Sequence, residues 1–114
     1  MQVDKNLMSG STSLLVLSLL EDTDMYGYEM IRELALKSEK VFVLKEGTLY
    51  PILHKLENDG MVESYEKEST AGKRRKYYRL TNEGKKLLVE KKTEWYQFTQ
   101  KVNQVIGGGA HACG

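Results

Sequence analysis

Apolar and polar residues alternate along the chain in patterns that predict three helices, a hairpin and a fourth, longer helix. Near the start, Leu14, Leu15, Val16, Leu17, Leu19 and Leu20 leave no polar face. They follow Ser11, Thr12 and Ser13, residue types that cap helices. A first helix is expected over residues 13–21, buried on most sides. Glu21, Asp22, Thr23 and Asp24 read as the loop that ends it. Met30, Ile31, Leu34 and Ala35 at helical spacing predict a second helix over residues 26–37. Over residues 46–59, Leu49, Ile52, Leu53 and Leu56 form a single apolar stripe. The opposite face carries Gly47, Pro51, His54, Lys55 and Asn58, with Tyr50 at the border. Pro51 lies in the opening turns, where a missing backbone donor costs least, and Gly60 follows as a helix-ending glycine.

Residues 61–68 and 76–80 are rich in β-formers and read as two strands. Between them, Ser69, Thr70, Ala71 and Gly72 form a turn that leads into Lys73, Arg74, Arg75 and Lys76, giving a hairpin with a basic tip. Thr81 caps a last helix from Asn82 to about Ile106, roughly 37 Å long at 1.5 Å per residue. In it Leu88, Trp95 and Val102 are seven apart, as are Lys91, Phe98 and Val105. So small a body cannot cover a stripe of that length, so Leu88, Trp95, Phe98, Val102 and Val105 are expected to form a dimer seam. The fold class is mainly α with a two-stranded wing (α+β): a winged helix-turn-helix in residues 1–81, a dimerisation helix in 82–106 and a flexible glycine-rich tail in 107–114.

Charge and composition narrow the function. With 114 residues, 40% hydrophobic and 29% charged, the chain is an ordinary globular domain. A net charge of +1 excludes a wholly basic nucleic-acid coat protein. It does not exclude a local patch: residues 21–33 carry five acids and one base, residues 73–86 seven bases and one acid. The single cysteine, Cys113, cannot form an internal disulfide. The apolar run of residues 14–17 reaches 20 only by passing Ser18, far short of the roughly 20 residues a bilayer requires. The opening residues lack a signal-peptide pattern, so a cytoplasmic protein with no membrane partner is expected. His111 and Cys113 are two ligands in a tail, which is weak support for a metal, and no cofactor is expected. His54 is the other histidine, and no nucleophile, base and orienter can be assembled around it, which disfavours an enzyme.

In a winged helix-turn-helix the third helix enters the major groove and the hairpin grips the flanking backbone. The exposed face of the third helix therefore supplies Thr48, Tyr50, His54 and Lys55 as candidate contacts to double-stranded DNA. Thr48 can donate or accept, the Tyr50 phenol can reach a phosphate while its ring packs, and the helix N-terminus near Glu46 and Gly47 favours an anion. Tyr50 can equally be a tyrosine at the core's edge. Lys73, Arg74, Arg75 and Lys76 are candidate phosphate contacts, although strand alternation stops all four from facing one backbone. Of Tyr77 and Tyr78, one should enter the core and the other face outward, with Tyr77 the candidate phosphate contact. Tyr26, Gly27 and Tyr28 are assigned a structural role, with Gly27 allowing close approach of the second helix to a neighbour. A winged-helix module that binds protein instead of DNA fits the near-neutral total charge; the basic wing argues against it.

The stretches YGYE (26–29), GTLYPIL (47–53), LHKLENDG (53–60) and RKYYRLTNEG (75–84) strongly resemble the PadR-like transcriptional regulators. The resemblance covers about residues 14–106, and the short length with a single final helix is similar to the small subfamily. It implies a dimeric, ligand-responsive repressor that binds a palindromic operator. Some small members stack a flat effector on a paired tryptophan between subunits, and Trp95 occupies the equivalent region. The resemblance therefore makes Trp95 a candidate platform for a small aromatic effector, the other reading being a dimer-core residue. Lys91, Lys92 and Glu94 around it depart from an apolar pore.

Overall fold

The computed structural model describes residues 10–107, so the expectations for residues 108–114, including His111 and Cys113, lie outside the described residues. Helix α1 (Thr12–Leu19) is short and apolar all round, and Val16 and Leu17 are fully enclosed. It leads into strand β1 (Met25–Tyr26) and, without a break, helix α2 (Gly27–Lys37). Helix α3 (Glu46–Asn58) follows, then strands β2 (Val62–Glu68) and β3 (Arg74–Leu80) and helix α4 (Asn82–Ile106). Leu49, Leu53 and Leu56 of α3 turn inward as their spacing requires, joining Met30 and Leu34 of α2, and Pro51 is accommodated within the helix.

The α2–α3 turn contains no glycine. Glu39 and Lys40 both adopt left-handed backbone conformations, with φ of 54° and 66°. Hydrogen bonds hold them there: the Lys40 N–H donates to the Ala35 carbonyl at 2.7 Å. The Ser38 hydroxyl donates to the Leu34 carbonyl at 2.7 Å and accepts from the Phe42 N–H at 3.0 Å.

The sheet differs from the expected two-stranded wing. Among the described residues it has three antiparallel strands in the order β1-β3-β2. Met25 pairs with Tyr78 and Tyr26 with Tyr77, while β2 pairs with β3 from Val62↔Leu80 to Glu68↔Arg74. A two-residue strand is too short to show alternation, so its partner alone reveals it. One sheet face, carrying Met25, Val62, Tyr78 and Leu80, closes the core against the helices.

Helix α4 starts at a tight junction. Thr81 Oγ1 accepts from the Gly84 N–H at 3.0 Å and donates to the Gly60 carbonyl at 2.6 Å. A Cβ on Gly84 would collide with the Met61 carbonyl oxygen, so a glycine is needed for α4 to begin this close to the approach of β2. Leu88 then enters the core at 2% exposure. This corrects its assignment to the dimer seam: α1 packs on the first half of α4 and takes that surface within the chain. Lys92 Nζ meets Glu21 Oε1 at 2.8 Å, a further tie between α4 and the loop after α1, and this holds the lysine above its usual pKa. Beyond it the helix projects from the body, giving the molecule extents of 55 × 30 × 22 Å. Among the described residues no helix is long and apolar enough to cross a membrane.

Candidate nucleic-acid interface

The outer face of α3 carries Gly47, Thr48, Pro51, His54, Lys55 and Asn58, all exposed. Lys55 Nζ sits 3.2 Å from Asp59 Oδ2, an i,i+4 pair whose lysine remains open to solvent. Tyr50 is different. It is half-buried, and its ring and hydroxyl lie where a Cβ on Gly27 would be. A glycine at the head of α2 thus makes the slot for Tyr50, which fixes how α2 and α3 cross. Gly27 takes the expected structural role; Tyr28, given the same role, is instead 57% exposed. Glu57, on the other side of α3, accepts from the Ser64 hydroxyl at 2.6 Å, and this ties the helix to the wing.

The wing tip is open: Thr70, Ala71, Gly72, Lys73 and Arg74 are exposed. The turn is closed by the Ser69 N–H donating to the Lys73 carbonyl at 2.7 Å. Arg74 reaches Glu66 at 3.2 Å with both side chains largely in solvent, a pair worth little in water and readily exchanged for a phosphate. Lys76 is exposed, with Nζ 5.6 Å from the Tyr78 ring centroid.

Two expected contacts are turned elsewhere. Tyr77 is only 7% exposed, so both members of the tyrosine pair are enclosed, on opposite faces of the sheet. On the outer face Tyr77 lies between Tyr26 of β1, edge-on at 5.3 Å, and Tyr65 of β2, stacked at 5.8 Å. The register aligns these three rings across three strands. A cation covers each: Arg75 over Tyr26 at 4.8 Å, Lys67 over Tyr77 at 4.5 Å and Arg79 over Tyr65 at 5.0 Å. Arg75 is therefore half-buried, and its Nε is enclosed with no hydrogen-bond partner among the described residues. Its alternation in β3 puts it on the face of Tyr77, away from Arg74.

The electrostatics agree with this packing. The Tyr65 hydroxyl donates to Asp24 Oδ2 at 2.5 Å. That bond first, and burial second, push the phenol up to about 12. Burial raises Tyr77 and Tyr78 from their ordinary value, so all three remain neutral donors near neutral pH. Sequence reading did not assign Tyr65, Asp24 or Lys67 to any site. The signal that could have found them is the pairing of Tyr26, Tyr65 and Tyr77, which only the missed strand β1 brings together.

On α4, Phe98 and Val105 are 58% and 87% exposed, and Val102 is less so. Trp95 is half-buried, 6.1 Å from Phe98 between ring centroids. Together with Gly10 and Leu14 they border an open groove of about 920 Å³, whose polar lining includes Lys91, Glu94 and Lys101. Among the described residues no cluster of His, Cys, Asp or Glu could hold a metal ion.

Comparison with known proteins agrees with this architecture. Residues 16–90 match the model of the "Transcriptional regulator PadR-like family". The chain is 33% identical over 93 residues to Transcriptional regulator Rv3488 of Mycobacterium tuberculosis, covering 82% of this chain and 80% of that protein. Among solved structures it is similar to a transcriptional regulator from Clostridium thermocellum, with a TM-score of 0.80 and 37% identity, covering 88% of this chain and 97% of the other. A PadR family transcription regulator from Clostridium difficile R20291 is 42% identical with a TM-score of 0.70, covering 87% and 100%. A family match over more than half of the chain, on a three-stranded winged-helix scaffold, leads to one conclusion: the chain belongs to the PadR-like family of transcriptional regulators.

Proposed function

We propose that the protein is a homodimeric, ligand-responsive repressor that acts in the cytoplasm on a palindromic DNA operator. The observation that carries this reading is the division of α3. Leu49, Leu53 and Leu56 are buried, while Thr48, His54 and Lys55 stay exposed beside a wing whose Lys73 and Arg74 are open to solvent. Thr48 and His54 read base edges, and Lys55, Lys73, Arg74 and Lys76 neutralise backbone. Tyr50, seated on Gly27, contributes its edge and its positioning of the helix. Two such helices, one per subunit, meet half-sites about one helical turn apart. The exposed Phe98, Val102 and Val105 support a subunit contact along α4. The Trp95 groove beside that contact is large enough for a small aromatic effector, which shifts the dimer only through unequal affinity for its two arrangements.

Selection of bound sequences from random duplex DNA tests the reading. A recovered palindrome is the expected result. Thr48→Ala or His54→Ala should relax preference at one position per half-site, at a cost of about 1–3 kcal/mol for a lost base contact. Arg74→Ala should weaken all sequences alike and flatten the log–log salt dependence by about 0.9 per lost phosphate contact. Binding of no duplex at any salt concentration would favour a protein-interaction module instead.

A further inference from the structure

The tyrosine row explains why Arg75 and Tyr77 are turned away from solvent. We propose that Arg75 is a positioning residue: its guanidinium, seated on Tyr26, locks the basic wing to the head of α2 and so sets the spacing between the wing tip and the exposed face of α3. This rests on the DNA-binding reading of those two surfaces.

Strand β1 contributes only two residue pairs, too few to hold a hairpin by backbone alone. Side chains supply the rest. Arg75 covers Tyr26, Tyr26 abuts Tyr77, Tyr77 stacks on Tyr65, and Tyr65 donates to Asp24, in the loop just before β1. The row thus begins and ends on the same short segment, so both β2 and β3 are tied to it. That segment also begins α2: the Tyr26 N–H donates to Glu29 Oε1 at 3.3 Å. Gly27, the next residue, receives Tyr50 of α3. A continuous path therefore runs from the wing through Arg75, Tyr26 and Gly27 to the recognition helix.

Leverage makes the lock matter. From Tyr77 to Ala71 at the turn is about 20 Å at roughly 3.3 Å per residue. A swing of about 10° at the base moves the tip by roughly 3.5 Å, more than the length of a hydrogen bond. Wing bases set that far off lose their phosphates. Arg75 is half-buried on the tyrosine face with its Nε enclosed, whereas Arg74 next to it stays exposed and is the better placed of the two to meet phosphate.

A double-mutant cycle on duplex affinity, with Arg75→Ala, Tyr26→Leu and the pair, separates positioning from contact. Each single variant should weaken binding about two- to fivefold, the scale of one cation–ring contact. The pair should be no worse than the weaker single, and Tyr26→Phe, which keeps the ring, should bind like wild type. Arg75→Ala that weakens binding equally in the Tyr26→Leu background, and flattens the salt dependence as Arg74→Ala does, would make Arg75 a direct phosphate contact and overturn the proposal. Two measurements on the free protein need no DNA and no Tyr26→Leu. The Arg75 side-chain protons should show an upfield ring-current shift in wild type. Backbone amides at residues 69–73 should exchange faster with solvent in Arg75→Ala; an unshifted arginine or unchanged exchange overturns the lock. If wild type binds no duplex, the proposed function fails while these free-protein measurements still decide the lock.

Discussion

The two halves of α4 share one heptad register but have different surroundings. In the first half Gly84 and Leu88 are buried, Thr81 ties the start to Gly60 and Met61, and Lys92 reaches Glu21. In the second half Phe98, Val102 and Val105 are exposed, with the Phe98 ring 6.1 Å from that of Trp95 on the same helix. Trp95 stands at the changeover, half covered. An unbroken apolar repeat therefore need not serve a single partner. Here the same seam is intramolecular at Leu88 and, among the described residues, exposed from Phe98 onward.

The largest effect that would sharpen this contrast is expected at Leu88. Leu88→Ala should lower unfolding free energy by about 2–5 kcal/mol, as buried leucine truncations do. Urea unfolding at several protein concentrations should show that loss at every concentration, because the residue serves the subunit's own core. Val102→Asp should do the reverse. It should weaken self-association by about 3 kcal/mol, the cost of a charge left unpaired in an apolar contact, with little change in a monomer's stability. Sedimentation reads this directly, and the single tryptophan, Trp95, gives a second readout. Its emission should shift red on dilution in wild type and be red at all concentrations in the variant. If Val102→Asp sediments like wild type, the distal half is not the subunit contact.

The smallest expected effect concerns the tie at the changeover. Glu21 raises the Lys92 pKa above its usual 10.5, so the pair adds stability that is fully present below that value. The contribution is lost as pH climbs through the raised value. The stability difference between wild type and Lys92→Met should accordingly be small at pH 8 and vanish in strongly alkaline buffer. A difference that persists there would assign the lysine's effect to packing of its stem.

Much of this architecture was legible because it follows from periodicity. The stripe Leu49, Ile52, Leu53 and Leu56 dictates which face of α3 stays outside, and Thr81 marks the start of α4 to the residue. What escaped depends on pairing between distant segments. Strand β1 is two residues long and carries no pattern of its own, so the row Tyr26, Tyr77 and Tyr65 could not be assembled. Alternation correctly separates Tyr77 from Tyr78. It does not say that the face away from the core can be enclosed too, by other tyrosines and by Lys67. Leu88 was misassigned for a related reason, since a heptad position is silent about whether α1 or another subunit covers it.

The pairing of β1 with β3 also bears on how the protein folds. Tyr26 meets Tyr77 only by closing a loop of about 50 residues, which costs roughly 3.5 kcal/mol of chain entropy on a logarithmic scale. That loop contains α2, α3 and β2. Helix α3 and its crossing with α2 at the Gly27–Tyr50 slot can form from local contacts, whereas the position of the wing against them depends on this long-range closure. A nascent chain therefore carries its packed helices before its wing is set: the wing takes its place against α3 only once β3 has left the ribosome.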